Sequence, residues 1–343
     1  MPAPATRHIG PTMRKLSEKT VLLFFEDHVT DRWVRGDRHL KRLARRAYHT
    51  FTRRQKVTGF QVWYQLLVRA LRDAGYDVRT NDYRLARRHP EHPVGVTGYP
   101  HIMDGWSLPN PAVLGPGLFD HPKVAPGLME DPRYRSYIVT CDWMKRMFEP
   151  YYGDRCVSWH AGIDLAEWPD TRPLKKPVDV LIYDKIRWER DRYEPGLLEP
   201  VRRHLESRGL KVEYVRYKFY DHATYRDLLR RSRSMLFLCE HETQGMAYQE
   251  ALASNVPVLA WDNGFWQDPE RLRYEAGPVP VTSVPYFSEE CGERFGDIGE
   301  FEEVFERFWS RLDSYEPRAY VARELSFAGS AELYMKCYTE AAR

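Results

Sequence analysis

"FLCEHETQGMAYQEALASNVPVLAWDNG", Phe237 to Gly264, is the stretch on which the reading of the fold turns. Met235 to Cys239 is a short continuous apolar run, of the kind that forms a strand buried on both faces. It breaks at Glu240-His241-Glu242-Thr243-Gln244-Gly245. From Met246 the apolar positions Met246, Ala247, Ala251, Leu252 and Ala253 fall within one helical stripe, with Glu250 off it. Asn255 suits a left-handed stop, and Pro257 confirms that the helix has ended. Val258 to Trp261 then reads as a second buried strand. Strand, loop, helix and strand in this order predict a right-handed crossover in a parallel sheet. Ligands of such sheets bind beyond the strand C-termini, where a helix N-terminus offers free N–H groups to an anion. Glu242 lies in that loop and Glu250 just behind it. Carboxylates repel a phosphate, so the two are expected to face hydroxyls, and sugars supply hydroxyls.

Outward from this unit the same pattern repeats. Val21 to Phe25 reads as a first strand, Val62 to Ala74 as an amphipathic helix ending at Gly75, and Tyr76 to Val78 as the start of another strand. Short apolar runs at Val94 to Val96, Ala112 to Leu114 and Tyr137 to Val139 end in Gly, Pro or polar loops, and Trp143 to Phe148 reads as a helix. The pattern restarts with a strand at Val178 to Tyr183, a helix near Leu197 to Arg208, a strand near Val212 to Val215 and a helix from Tyr225 to Arg231. A charged helix, Phe301 to Leu312, a break at Pro317 and a last helix reaching Tyr338 complete the chain. The expectation is an α/β protein of two Rossmann-like, doubly wound parallel-sheet domains. The first spans residues 1–165 with a basic insertion at 30–58, the second 166–318, and 319–343 forms a terminal helix.

The 343 residues suffice for two domains, and a 43% hydrophobic content fills two cores. No apolar run approaches the roughly 20 residues of a membrane span, and Met1 to Lys19 lacks a signal-peptide pattern. Five scattered cysteines without C-x-x-C argue against a disulfide framework or a zinc site and suit a reducing cytoplasm. The net charge is only +3, but from Arg32 to Lys56 ten cations face the single acid Asp37, with Trp33, Leu40, Leu43, Tyr48 and Phe51 interleaved. This segment reads either as a solvated arginine-rich surface or as a dock for anionic lipid or a polyanionic acceptor. Nucleic acid is the lesser alternative. The expected location is cytoplasmic, peripheral to the inner face of the membrane if the segment docks there.

"ETQGMAYQEALASNVPVLA" resembles the E-x7-E element of retaining nucleotide-sugar glycosyltransferases of the GT-B fold, family 4 in the usual grouping. "WHAGIDLAEW" is similar to that family's Asn/Ala-Gly-Val/Ile-Asp linker, and "IVTCDWMKRMFE" to the strand and helix before it. The resemblance covers most of residues 130–343 and the first 130 only in outline. It implies two domains facing across a cleft, with the last helix crossing back onto the first. It also implies that Glu250 binds donor ribose hydroxyls and that Glu242 sits at the transferred sugar. The backbone of Gln244, Gly245, Met246 and Ala247 would then lie near sugar and diphosphate. The family places an Arg at the preceding strand end and a Lys five positions later; here Lys185 and Arg190 hold those places with the types exchanged. Which of Arg187 and Arg190 reaches the phosphates is therefore open. Gly59 is the candidate anion-facing turn of the first domain. A cleft histidine is implied there, His121 or, less favoured, His101. Tyr99, Trp106 and Phe119 could stack on a sugar, with core packing the better reading of each.

The reaction so implied is transfer of a sugar from a nucleotide diphosphosugar to an acceptor hydroxyl with anomeric retention. Lys185 and an arginine would neutralise the leaving diphosphate, and Glu242 would position the sugar. No Asp-x-Asp element sits in a suitable loop, so neither metal nor cofactor is expected. The rival readings are a GT-B-type epimerase or phosphorylase, and a non-catalytic scaffold that binds an anionic surface.

Overall fold

The computed structural model describes residues 16–26 and 59–343; the basic segment lies outside them. The first sheet contains β1 (Thr20–Glu26), β2 (Asp77–Thr80), β3 (Val94–Gly98), β4 (Ala112–Gly117), β5 (Tyr134–Val139) and β6 (Cys156–Ser158). Their order is β2-β1-β3-β4-β5-β6, with every pairing parallel. Among the described residues this half carries the helices α1 (Gly59–Asp73), α2 (Tyr83–Arg88) and α3 (Asp142–Tyr152). The second sheet contains β7 (Val178–Lys185), β8 (Val212–Arg216), β9 (Ser232–Cys239), β10 (Val258–Trp261) and β11 (Gly292–Phe295). Its order is β11-β10-β9-β7-β8, again all parallel. Its helices are α4 (Arg190–Tyr193), α5 (Glu199–Ser207), α6 (His222–Arg231), α7 (Met246–Ala253), α8 (Pro269–Leu272), α9 (Ile298–Ser310) and α10 (Pro317–Glu324), and the last helix, α11 (Phe327–Ala341), returns to the first sheet.

Strands that bury both faces need apolar residues at every position, and β9 follows that rule from Met235 to Cys239. The second sheet is covered on one face by α6, α7 and α10 and on the other by α5 and α9. The first sheet carries α1 and α11 on one face. The crossing of α11 is stitched by Tyr338, whose hydroxyl accepts the Leu22 N–H at 2.8 Å and donates to the Pro93 carbonyl. Gly95 of β3 is a glycine for the same reason, since a Cβ there would collide with Tyr334 of α11. Asn255 does take the left-handed conformation, φ 62°, at the end of α7. Among the described residues no helix is long and apolar enough to cross a membrane.

The β10–β11 connection departs from the alternating pattern. Between Asn263 and Cys291 it carries only α8 and an isolated bridge between Phe265 and Pro280. Its Trp266 and Val281 are buried in the core of the first domain, beside Leu114, Tyr137 and Trp143. This strap makes the second domain complete a core belonging to the first. Nothing in its apolar spacing marks it, because single buried anchors have no period.

Candidate functional site

In both sheets the chain turns back past its first strand, so the order reverses between β1 and β3 and again between β7 and β9. A crevice opens at such a reversal beyond the strand C-termini. The last paired residues of β7 and β9 are Lys185 and Cys239, so the quoted loop hangs over the second crevice.

Lys185 pairs there with Glu242, both side chains largely buried. The ammonium also lies 4.4 Å from the centre of the Tyr217 ring. Burial pulls the Lys185 pKa down, but Glu242, with Cys239 and Tyr217, outweighs it and holds the group above the usual lysine value. Arg187 joins the same cluster: its guanidinium donates to the His241 carbonyl at 2.6 Å, and its Nε lies 3.5 Å from Glu240. Glu240 is fully buried and accepts the backbone N–H groups of Arg187 and Trp188 at 2.7 and 2.9 Å. The His241 ring stacks on Trp188 at 5.1 Å, with Trp143 and Trp266 edge-on to it. Burial, then Arg187 and Lys185, push its pKa well below the ordinary histidine value, so the imidazole is neutral.

Arg190 goes elsewhere. It makes a bidentate pair with buried Asp184 at 3.2 and 2.7 Å and a second pair with Glu194 at 2.9 Å. Asp184 and Lys185 are neighbours on a strand, so their side chains leave opposite faces of the sheet. The structure therefore gathers Lys185 and Arg187 with the loop and sets Arg190 apart from them.

Behind the loop, Gly245 takes φ 82° immediately before α7, and a Cβ there would run into the Tyr248 ring. The first N–H groups of α7, from Met246 and Ala247, have no intrahelical partner. The Ala247 carbonyl accepts the Tyr225 hydroxyl. Glu250 is 8% exposed, and among the described residues its carboxylate has no ion pair. Burial raises its pKa to about 8, Arg226 opposing and Glu167 adding to the rise. A carboxyl so placed favours its protonated form near neutral pH.

In the first domain, His121 is fully buried under the strap. It bonds Glu275 at 2.6 Å, accepts the Lys123 N–H at 3.1 Å and lies between the rings of Tyr274 and Trp266. Its pKa is lowered, burial outweighing Glu275. Trp266 also meets His241, so one indole separates His121 from the loop. His101 instead stacks on Tyr99, at 5.9 Å. Gly59 is the first residue of α1, and a Cβ would meet nothing within 4 Å, so neither space nor backbone angle requires glycine there. Trp106 and Phe119 pack against the first domain's core. The residues that sequence reasoning did not single out are Glu240, His241, Trp188, Tyr217, Trp143 and the strap's Trp266 and Glu275. Glu240 and His241 stood within the acidic loop already quoted; the others carry no local pattern.

No protein-family model matches this sequence, and no curated protein does. Solved structures do. The chain is similar to AviGT4, a glycosyltransferase involved in Avilamycin A biosynthesis, with TM-score 0.53 and 12% identity over 94% of this chain and 98% of that one. It is similar to sucrose-phosphate synthase from Thermosynechococcus elongatus, with TM-score 0.55 and 11% identity over 94% and 98%. A glycosyltransferase from Rickettsia africae gives TM-score 0.51 and 10% identity over 95% and 100%. At such identity the likeness is one of fold, and with the two parallel sheets of six and five strands it gives the chain the GT-B architecture.

Proposed function

We propose that the protein is a retaining glycosyltransferase that moves a sugar from a nucleotide diphosphosugar to an acceptor hydroxyl. The observation that carries this reading is the cluster at the β7–β9 crevice. Lys185 pairs with Glu242 in the loop, Arg187 donates to the neighbouring His241 carbonyl, and the buried Glu250, which among the described residues has no ion pair, stands behind them in α7.

In this reading a diphosphate competes with Glu242 for Lys185 and is also held by Arg187 and the free N–H groups that open α7. The freed Glu242 carboxylate accepts hydrogen bonds from the sugar. Glu250 accepts the vicinal ribose hydroxyls. The bond from the anomeric carbon to the phosphate oxygen breaks as the acceptor oxygen approaches on the same face. The developing negative charge falls on the diphosphate, where Lys185, Arg187 and the helix N–H groups stabilise it. The acceptor proton passes to the departing phosphate oxygen. Arg190, bound to Asp184, acts on the site only through the end of β7.

The reading requires no metal or cofactor. Full activity after exhaustive chelation supports that; loss of activity restored by manganese contradicts it. The acceptor is proposed to be anionic, or presented on an anionic surface, on the strength of the ten cations between Arg32 and Lys56. Equal binding to anionic and neutral vesicles removes the membrane version. The function itself is tested by product analysis with donor alone and with candidate acceptors. A glycosylated acceptor with retained anomeric configuration supports it, and an epimerised nucleotide sugar from donor alone overturns it.

A further inference from the structure

The loop that carries Glu242 is held from outside its own domain. Its carbonyl at Glu242 accepts the indole N–H of Trp143, on α3 of the first domain, at 2.8 Å, and this indole is 3% exposed. The Glu242 N–H donates to the Thr282 carbonyl of the strap at 3.0 Å. Two residues on, the fully buried Gln244 side chain reads the linker between the sheets. Its Oε1 accepts the Ala161 N–H at 3.0 Å and its Nε2 donates to the Ala161 carbonyl at 2.9 Å. Gln249 of α7 closes this network by donating to the Gln244 carbonyl at 2.8 Å. A glutamine amide engaging both polar groups of one backbone residue imitates a strand pairing, and it leaves the segment from Glu242 to Gly245 little freedom.

We propose that Trp143 and Gln244 are positioning residues, which make the placement of Glu242 depend on the docking of the first domain. The proposal rests on the glycosyl-transfer reading for what Glu242 does, but the mechanical claim stands apart from it. Lys185 fixes the carboxylate from one side, yet the backbone beneath is set by the acceptor-side domain and the linker. Donor binding by Glu250 of α7 and Lys185 of β7 then needs no such contact, whereas the alignment of the sugar does.

The test is Trp143→Phe, which keeps a ring in the core and removes the N–H, with Gln244→Met as a second variant. In the full chain, hydrogen exchange followed by mass spectrometry should show faster exchange in peptides covering 240–247 and unchanged protection in β7. Steady-state turnover should fall about three- to tenfold, the range that one net hydrogen bond implies, with the dissociation constant for the nucleoside diphosphate unchanged. Unchanged loop protection in both variants overturns the proposal, as does a loss of protection spread evenly over both domains. If the wild type transfers no sugar, the exchange experiment still decides the positioning claim while the functional reading alone fails.

Discussion

Among the described residues, rings gather at the C-terminal edge of the first sheet, whereas charge gathers at the matching edge of the second. Around the β1 end, Phe24 meets Tyr83 and Trp106, Phe25 stacks on Tyr64 at 4.5 Å, and Phe60 meets Tyr99 at 4.7 Å. Around the β7 end, Lys185, Arg187, Glu240 and Glu242 share one partly dry space. Rings at a sheet edge stabilise the fold by their own packing. Buried ions do not: each costs desolvation, which pairing only partly repays. A cluster that burdens folding in this way fits the donor site proposed for it. The aromatic edge carries no such inference.

The largest effect expected from this contrast is that of Lys185→Met. It leaves Glu242 buried without its ion partner and should cost about 3–5 kcal/mol in denaturant unfolding, with loss of nucleoside diphosphate binding. Adding Glu242→Gln should restore most of the stability and none of the binding. If the double variant binds as the wild type does, the charged edge is not the donor site.

Trp266→Ala tests the strap that joins the two edges. The indole is 5% exposed within the first domain's core, and its truncation should cost about 3–4 kcal/mol. Calorimetry should then show two separate transitions in place of one. A single transition at an unchanged midpoint would mean that the strap does not couple the domains.

Acid should loosen the same seam. Burial depresses the His160 pKa to about 4, against a backbone hydrogen bond with Ser326 that raises it, and His121 and His241 are lowered as well. The unfolded chain therefore binds protons that the folded one refuses. Stability should fall as pH drops below about 6.5, with His160 alone removing about 3 kcal/mol by pH 4. His160→Asn should flatten that slope; an unchanged slope contradicts the assignment.

The smallest effect is expected at the aromatic edge. Tyr99→Ala should change nucleoside diphosphate affinity by less than about 0.5 kcal/mol, the usual range for a site remote from the ligand, while altering the Michaelis constant for the acceptor. Equal losses for donor and acceptor would erase the division of labour between the edges.

The parts of this architecture legible in the sequence were those with a period or a local stop. Met235 to Cys239, the helix of α7 and Asn255 could be read because strand burial and helix stops are local physics, but the apolar stripe of α7 could not, since Tyr248 to Ala253 are all buried, Glu250 among them. The cluster was half legible. Lys185 at a strand end and Glu242 in the loop follow from the crossover, but the partner of each does not. Arg190 had the family's spacing, yet Asp184, six positions earlier, takes it by a bidentate pair. His121 stood after a likely strand end, but its partner Glu275 lies 154 positions away. Trp266 joins a core that begins at β1, and no window of sequence contains both.

The most direct measurement is titration of ADP, CDP, GDP, UDP and dTDP into the wild type and Glu250→Gln by calorimetry, between pH 7 and 9. Burial raises the Glu250 pKa to about 8, so a ribose that binds its ionised form must displace a proton at lower pH. The account predicts that one nucleoside diphosphate binds the wild type with affinity rising toward a plateau above about pH 8. The variant should bind it at least about tenfold more weakly, one lost charge-assisted hydrogen bond, with no such rise. Absence of binding by all five, or equal affinity and pH profile in the two proteins, would contradict it.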